Sequence, residues 1–315
     1  MRALRLAVAL AWLLAAGCVA IERQTTVLIY EPRGDELRVL TVFEGIHVSG
    51  EHDHDLEKAK KELKRFIQSG AEVCLGTCGL VSHISLVKPS ETDAGEAARA
   101  LTRRHFVIRN RAFFLNPEGR FSGWQEITVR DARKYLSALN IQISSFIASD
   151  LQGPQSWDEA TARLFSAAVG GPFPWIGLDP GRISVTIPGS PEFFRKSKAE
   201  FLQQMLLKKE DPQSTPTAFA RELKEIREFI DLLSETPFSV DQRHDRIVIS
   251  VGYGAGAPIR MAIGTLAKGK GMHEDSLLEF ARQLALPFLP PTSTEAIVAE
   301  FLRTGTADPG VIGAR

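Results

Sequence analysis

Three imidazoles and three carboxylates fall within the short stretch from Gly45 to Asp55: His47, Glu51, His52, Asp53, His54 and Asp55. Such groups are the usual ligands of zinc and similar divalent cations. In an extended segment His52 and His54 point to one side, and Ser49-Gly50 lets the chain turn His47 back toward them. His47, His52, Asp53 and His54 are therefore a candidate divalent-metal site, and the centre of a metal-dependent hydrolase if a substrate joins them. The spacing matches no zinc motif. A plainer role stands beside it, in which Asp53 or Asp55 caps a following helix, where negative charge is favoured.

Cys74-Leu75-Gly76-Thr77-Cys78 is the other cluster with chemistry in it. Three intervening residues, one of them glycine, allow a small-ring disulfide, which is the expected state of Cys74 and Cys78 in an oxidising compartment. A redox role needs a lowered thiol pKa, and the neighbours are mostly small or apolar. Gly252-Tyr253-Gly254-Ala255-Gly256-Ala257-Pro258 lacks the Lys-Ser/Thr ending of a phosphate loop and reads as a mobile connection between strands. No Gly-x-Ser-x-Gly and no His-Glu-x-x-His occurs. Phe173 and Trp175, in the stiff stretch Gly170-Gly171-Pro172-Phe173-Pro174-Trp175, are the candidate partner-binding aromatics.

The elements that must position these residues follow from periodicity. Hairpins are expected from Val27–Tyr30 with Leu37–Phe43, from Phe106–Leu115 with Trp124–Val129, and from Phe238–Val240 with Ile247–Gly252. Arg260–Leu266 adds a strand beside the third. Helical spacing follows each hairpin, over about 56–67, 129–139 and 273–285, and recurs in 91–104, 192–209 and 217–234, while Ser156 with Glu159 forms a capping-box pattern that opens a helix to about Val169. Thr292 with Glu295 forms a capping-box pattern that opens a last helix to about Arg303. The fold class expected is α+β, a mostly antiparallel sheet built from hairpin-then-helix units with additional packing helices. Residues 26–150 form one α+β lobe and 151–303 a second, or a continuation of the first, with 304–315 a mobile tail.

The first residues carry an address. Arg2 and Arg5 precede an apolar run from Leu6 to Ala16, then Gly17 and Cys18. A cationic start, an apolar stretch too short to span a bilayer and small residues before a cleavage point make a secretory signal over residues 1–17. Leu14-Ala15-Ala16-Gly17-Cys18 resembles the lipobox of bacterial lipoproteins, although Ala15 stands where leucine is usual. The resemblance implies that Cys18 becomes the lipid-modified first residue of the mature chain and that 18–25 is a short lipidated tether. Because Val19, not aspartate, follows the cysteine, the resemblance further implies the outer membrane.

Bulk composition agrees with a globular body. Apolar residues are 44% and charged residues 24% of the 315. Loss of Arg2 and Arg5 with the signal, from an otherwise balanced 38 cationic and 38 anionic side chains, leaves a formal charge of about −2. That gives no basic footprint for nucleic acid. The function expected is a binding or structural role at the envelope, with the membrane as partner through the anchor and an envelope protein as a second partner. A metal-binding protein or metal-dependent hydrolase using His47, His52 and His54 is the alternative.

Overall fold

The structure, a computed structural model, describes residues 19–50, 52–69, 72–77, 80–85, 93–151, 159–171, 173–189, 238–242 and 245–314. The expected helices at 192–209 and 217–234 lie outside the described residues. In chain order the strands are β1 (Val19–Ala20), β2 (Arg23–Glu31), β3 (Glu36–Glu44), β4 (His47–Val48), β5 (Glu72–Thr77), β6 (Leu80–Ser85), β7 (Phe106–Leu115), β8 (Phe121–Val129), β9 (Ile176–Asp179), β10 (Arg182–Pro188), β11 (Phe238–Gln242), β12 (Arg246–Val251) and β13 (Ile259–Gly264). The helices are α1 (Asp53–Ser69), α2 (Asp93–His105), α3 (Ala132–Leu151), α4 (Glu159–Val169), α5 (Glu274–Ala281), α6 (Thr294–Thr304) and α7 (Pro309–Ile312).

The fold is α+β, and every pairing between named strands is antiparallel. Its centre is a five-stranded sheet in the order β13-β2-β3-β8-β7. Alternation along β3 decides which helices cover which face. Leu40 and Val42 point to one side, where they are fully buried with Val27, Phe114 and Trp124 under Ile297 and Phe301 of α6. Phe43 points to the other, into a cluster with Leu63 of α1 and Leu277 of α5. Further along that second face Leu37 and Val39 meet Ala132 and Tyr135 of α3. A four-stranded sheet, β11-β12-β10-β9, carries the third expected hairpin.

Four expectations change. Arg260–Leu266 was assigned beside the third hairpin, but the strand runs from Ile259 to Gly264 and pairs with β2, Ile259 opposite Leu28 and Gly264 opposite Arg23. A strand's pairing partner is set by long-range burial, which periodicity does not contain. The tail beyond 304 is packed rather than loose: Ala307 and Ile312 are buried against the sheet, and Asp308 caps α7 through the Gly310 N–H. The last long helix starts one residue later than the capping-box reading. Ser293 accepts from the Ala296 N–H, while the Thr292 hydroxyl donates to the Pro290 carbonyl. The glycine-rich stretch 252–258 is held against the β9–β10 turn, with Gly254 N–H donating to Gly181 O and Gly256 N–H to Pro180 O.

Candidate functional site at the N-terminal end

The stretch read as a tether is part of the core. Val19, Ala20 and Ile21 are 4%, 3% and 3% exposed. Val19 pairs with Val48 and Ala20 with His47, and the Val19 N–H reaches the Glu62 carboxylate of α1 at 3.3 Å. The sequence signal was thin because a two-residue strand has no period to read. A small apolar cavity of about 50 Å³ lies beside it, walled by Val19, Ile21, Phe43, Leu63, Phe66 and Trp124.

Directly beneath this end sits a buried charge network that no local pattern announces. Arg120, 3% exposed, leaves the β7–β8 turn, where the Asn116 side chain accepts from its N–H. Its guanidinium donates to both oxygens of Glu22 at 2.6 and 2.7 Å and to those of Glu274 at 2.9 and 3.2 Å. A fifth contact goes to the Ala267 carbonyl at 3.1 Å. Burial alone would raise the Glu22 carboxyl. The hydrogen bonds from Arg120 and the Ala267 N–H, with the positive charge of Arg120, outweigh burial and hold it below its ordinary value. The Glu22 bonds push the Arg120 guanidinium upward against the opposing effect of burial, with Glu274 adding to the rise.

The network also fixes a loop. Glu22 accepts from the Ala267 N–H at 2.8 Å, and Glu274 accepts from Gly271 at 2.8 Å and from Phe121 at 2.7 Å. Between those pinned points Lys268, Gly269 and Lys270 are exposed. Just beyond them the Met272 carbonyl accepts from the Val48 N–H at 2.9 Å, which lays this loop alongside β4. Gly271 is required by His47, whose Cγ lies 2.4 Å from where a Cβ on Gly271 would stand.

The candidate metal ligands are arranged differently from an extended strand. His47 is half-buried, its Nδ1 2.8 Å from the Gly45 carbonyl, which can only accept, so that nitrogen carries the proton. His52 and His54 are exposed and stacked, ring centroids 5.4 Å apart, because the helix begins at Asp53. Asp55 reaches back to the His52 N–H at 3.4 Å and its carboxylate lies against Gly50, the role of a helix-start acid. His54 Nε2 is 3.0 Å from Asp55 Oδ1. Among the described residues, no group of three or more His, Cys, Asp or Glu side chains is placed to hold a metal ion. Cys18 and Cys78 lie outside the described residues, as does the side chain of Cys74.

The two aromatic candidates part company. Trp175 is buried at 7%, packs with Phe165 and Phe173, and donates from Nε1 to the Ser144 hydroxyl at 2.8 Å, so it is a core residue. Phe173 is half-buried under the Arg246 guanidinium and lines an open groove of about 900 Å³ along α3. Asn140 of α3 clamps the groove's far side by exchanging two 2.9 Å bonds with the Ile176 backbone. Next to the groove α3 exposes Ile141 and Phe146, 64% and 50% accessible.

Compared with known protein families, curated proteins and solved structures, the chain matches none.

Proposed function

We propose that this chain is an exported lipoprotein, acylated at Cys18, whose folded body is held directly against the membrane and acts there by binding or by structure. One observation supports the reading: Val19, the residue that follows the lipobox-like cysteine, is paired with Val48 and buried. With Val19 after the cysteine, the outer membrane is the proposed destination. The groove beside Phe173 and Arg246 supports a binding role, with an envelope protein as the partner proposed for it.

The test is the chemistry of the mature N-terminus. In cells fed labelled fatty acid, the full chain is expected to incorporate label and yield an N-terminal peptide that begins at an acylated Cys18. Cys18→Ser should abolish both. An unacylated N-terminus, or one that begins elsewhere, would overturn the reading.

A further inference from the structure

We infer that the loop from Lys268 to Met272 is a second membrane-contact element, which meets the headgroup region of the same leaflet that holds the anchor. The inference rests on the lipoprotein reading and adds to it the face the protein turns toward lipid.

The argument begins with distance. A lipid on residue 18 is one peptide link, about 3.8 Å between Cα atoms, from Val19. Val19 is already locked into the fold by its pairing with Val48, and Val48 in turn bonds the Met272 carbonyl. Two strand spacings, roughly 10 Å, therefore separate the Val19 and Met272 backbones. With no slack between anchor and body, the fold cannot stand off from the bilayer, and whatever lies within that radius of Val19 is brought to headgroup depth.

The loop carries the side chains that such a position calls for. Met272 is 45% exposed although its backbone is bound into the β4 edge. An unbranched apolar side chain inserts between headgroups with little shape demand. Lys268 and Lys270 are exposed on either side of Gly269 at the tip. Lys270 has an exposed partner in Asp275, and Lys268 has no carboxylate within ion-pair distance among the described residues. Long lysine stems lie along apolar surface while the ammonium stays among phosphates. The two pinned ends, Ala267 on Glu22 and Gly271 on Glu274, present the tip without further ordering.

The experiment uses the acylated full chain in vesicles of phosphatidylethanolamine and phosphatidylglycerol that contain a phospholipid with a photoreactive diazirine near the headgroup. After illumination and digestion, mass spectrometry locates the attached lipid. The expected result is label within the peptide that holds Lys268–Met272, and an approximately tenfold loss of it when Lys268→Ser and Met272→Ser are combined. Leu302 and Val311, 44% and 40% exposed on α6 and α7, supply the contrast. Acylated chain labelled there, or not labelled in the loop, overturns this inference while the lipoprotein reading stands. A chain without acyl groups overturns both, and the N-terminal peptide in the same digest tells the two failures apart.

Discussion

Arg120→Met is the substitution that probes the buried network most directly. The Arg120 and Glu274 side chains are 4% and 1% exposed and that of Glu22 is 12%, so loss of the guanidinium strands two carboxylates away from water. Removing one partner of such a buried group costs about 3–5 kcal/mol, more than the pair itself contributes over an apolar replacement. For a chain of this size that lowers the melting temperature by roughly 10 °C. Urea unfolding of purified protein at neutral pH gives the free energy, and repeating it toward acid gives the sign. The wild-type Glu22 carboxyl is depressed below 4.5, so its contribution is complete above that value and is lost as pH falls through the lower, folded pKa. In Arg120→Met the stranded Glu22 loses the hydrogen bonds and charge that depress it and takes up its proton more readily, so the gap to wild type should narrow as the pH falls. Adding Glu22→Gln removes one stranded charge but keeps an acceptor for the Ala267 N–H, and should restore about 1–2 kcal/mol. A cost under about 1 kcal/mol for Arg120→Met, or no recovery in the double variant, would refute the reasoning.

Three further perturbations test the packing around the same sheet. Gly271→Ala should cost about 1–3 kcal/mol in urea unfolding through its clash with the His47 ring and Cβ, and His47→Gly in the same chain should relieve that clash where His47→Ala, which keeps the Cβ, relieves it only in part. Phe301→Ala, at a site 1% exposed, should cost about 3–5 kcal/mol and accelerate amide exchange at Ala307 and Ile312, which share its cluster. Ser293→Ala should cost about 1 kcal/mol, whereas Thr292→Ala leaves the Ala296 cap intact, so a larger effect at 292 would contradict the observed start of α6.

What the sequence made legible was local. All three expected hairpins are present because runs of β-branched and aromatic residues, broken by Pro32-Arg33-Gly34, by Asn116-Pro117-Glu118-Gly119 and by a polar turn in the third, encode strands and turn, although β2 starts four residues before its expected limit. The helix expected from the Ser156 cap to about Val169 is described from Glu159 and ends at Val169. What was not legible depends on contacts far apart in the chain. Glu22, Arg120 and Glu274 are separated by 98 and 154 residues, and each alone reads as a surface charge. Val19 to Ile21 read as tether because burial there comes from α1 and β4, not from any pattern of their own. Trp175 showed the reverse error. A tryptophan that closes a Gly- and Pro-rich stretch looks like a loop aromatic, yet the hydroxyl of Ser144, far away in sequence, satisfies its N–H and lets it be buried.

Strand β13 and helix α6 come late in the chain, yet one flanks β2 and the other covers the face that holds Val27. During synthesis β2 waits for about 230 residues before that neighbour exists, roughly 10 to 50 seconds at ribosomal speed. Through that interval its outer edge and apolar side have no permanent partner. Such an intermediate keeps an open strand edge, the kind of surface on which self-association starts, until the ribosome has nearly finished. The order of the strands thus builds a delay into the chain, and the export proposed above would use it, since a channel that passes only unfolded polypeptide requires the same delay.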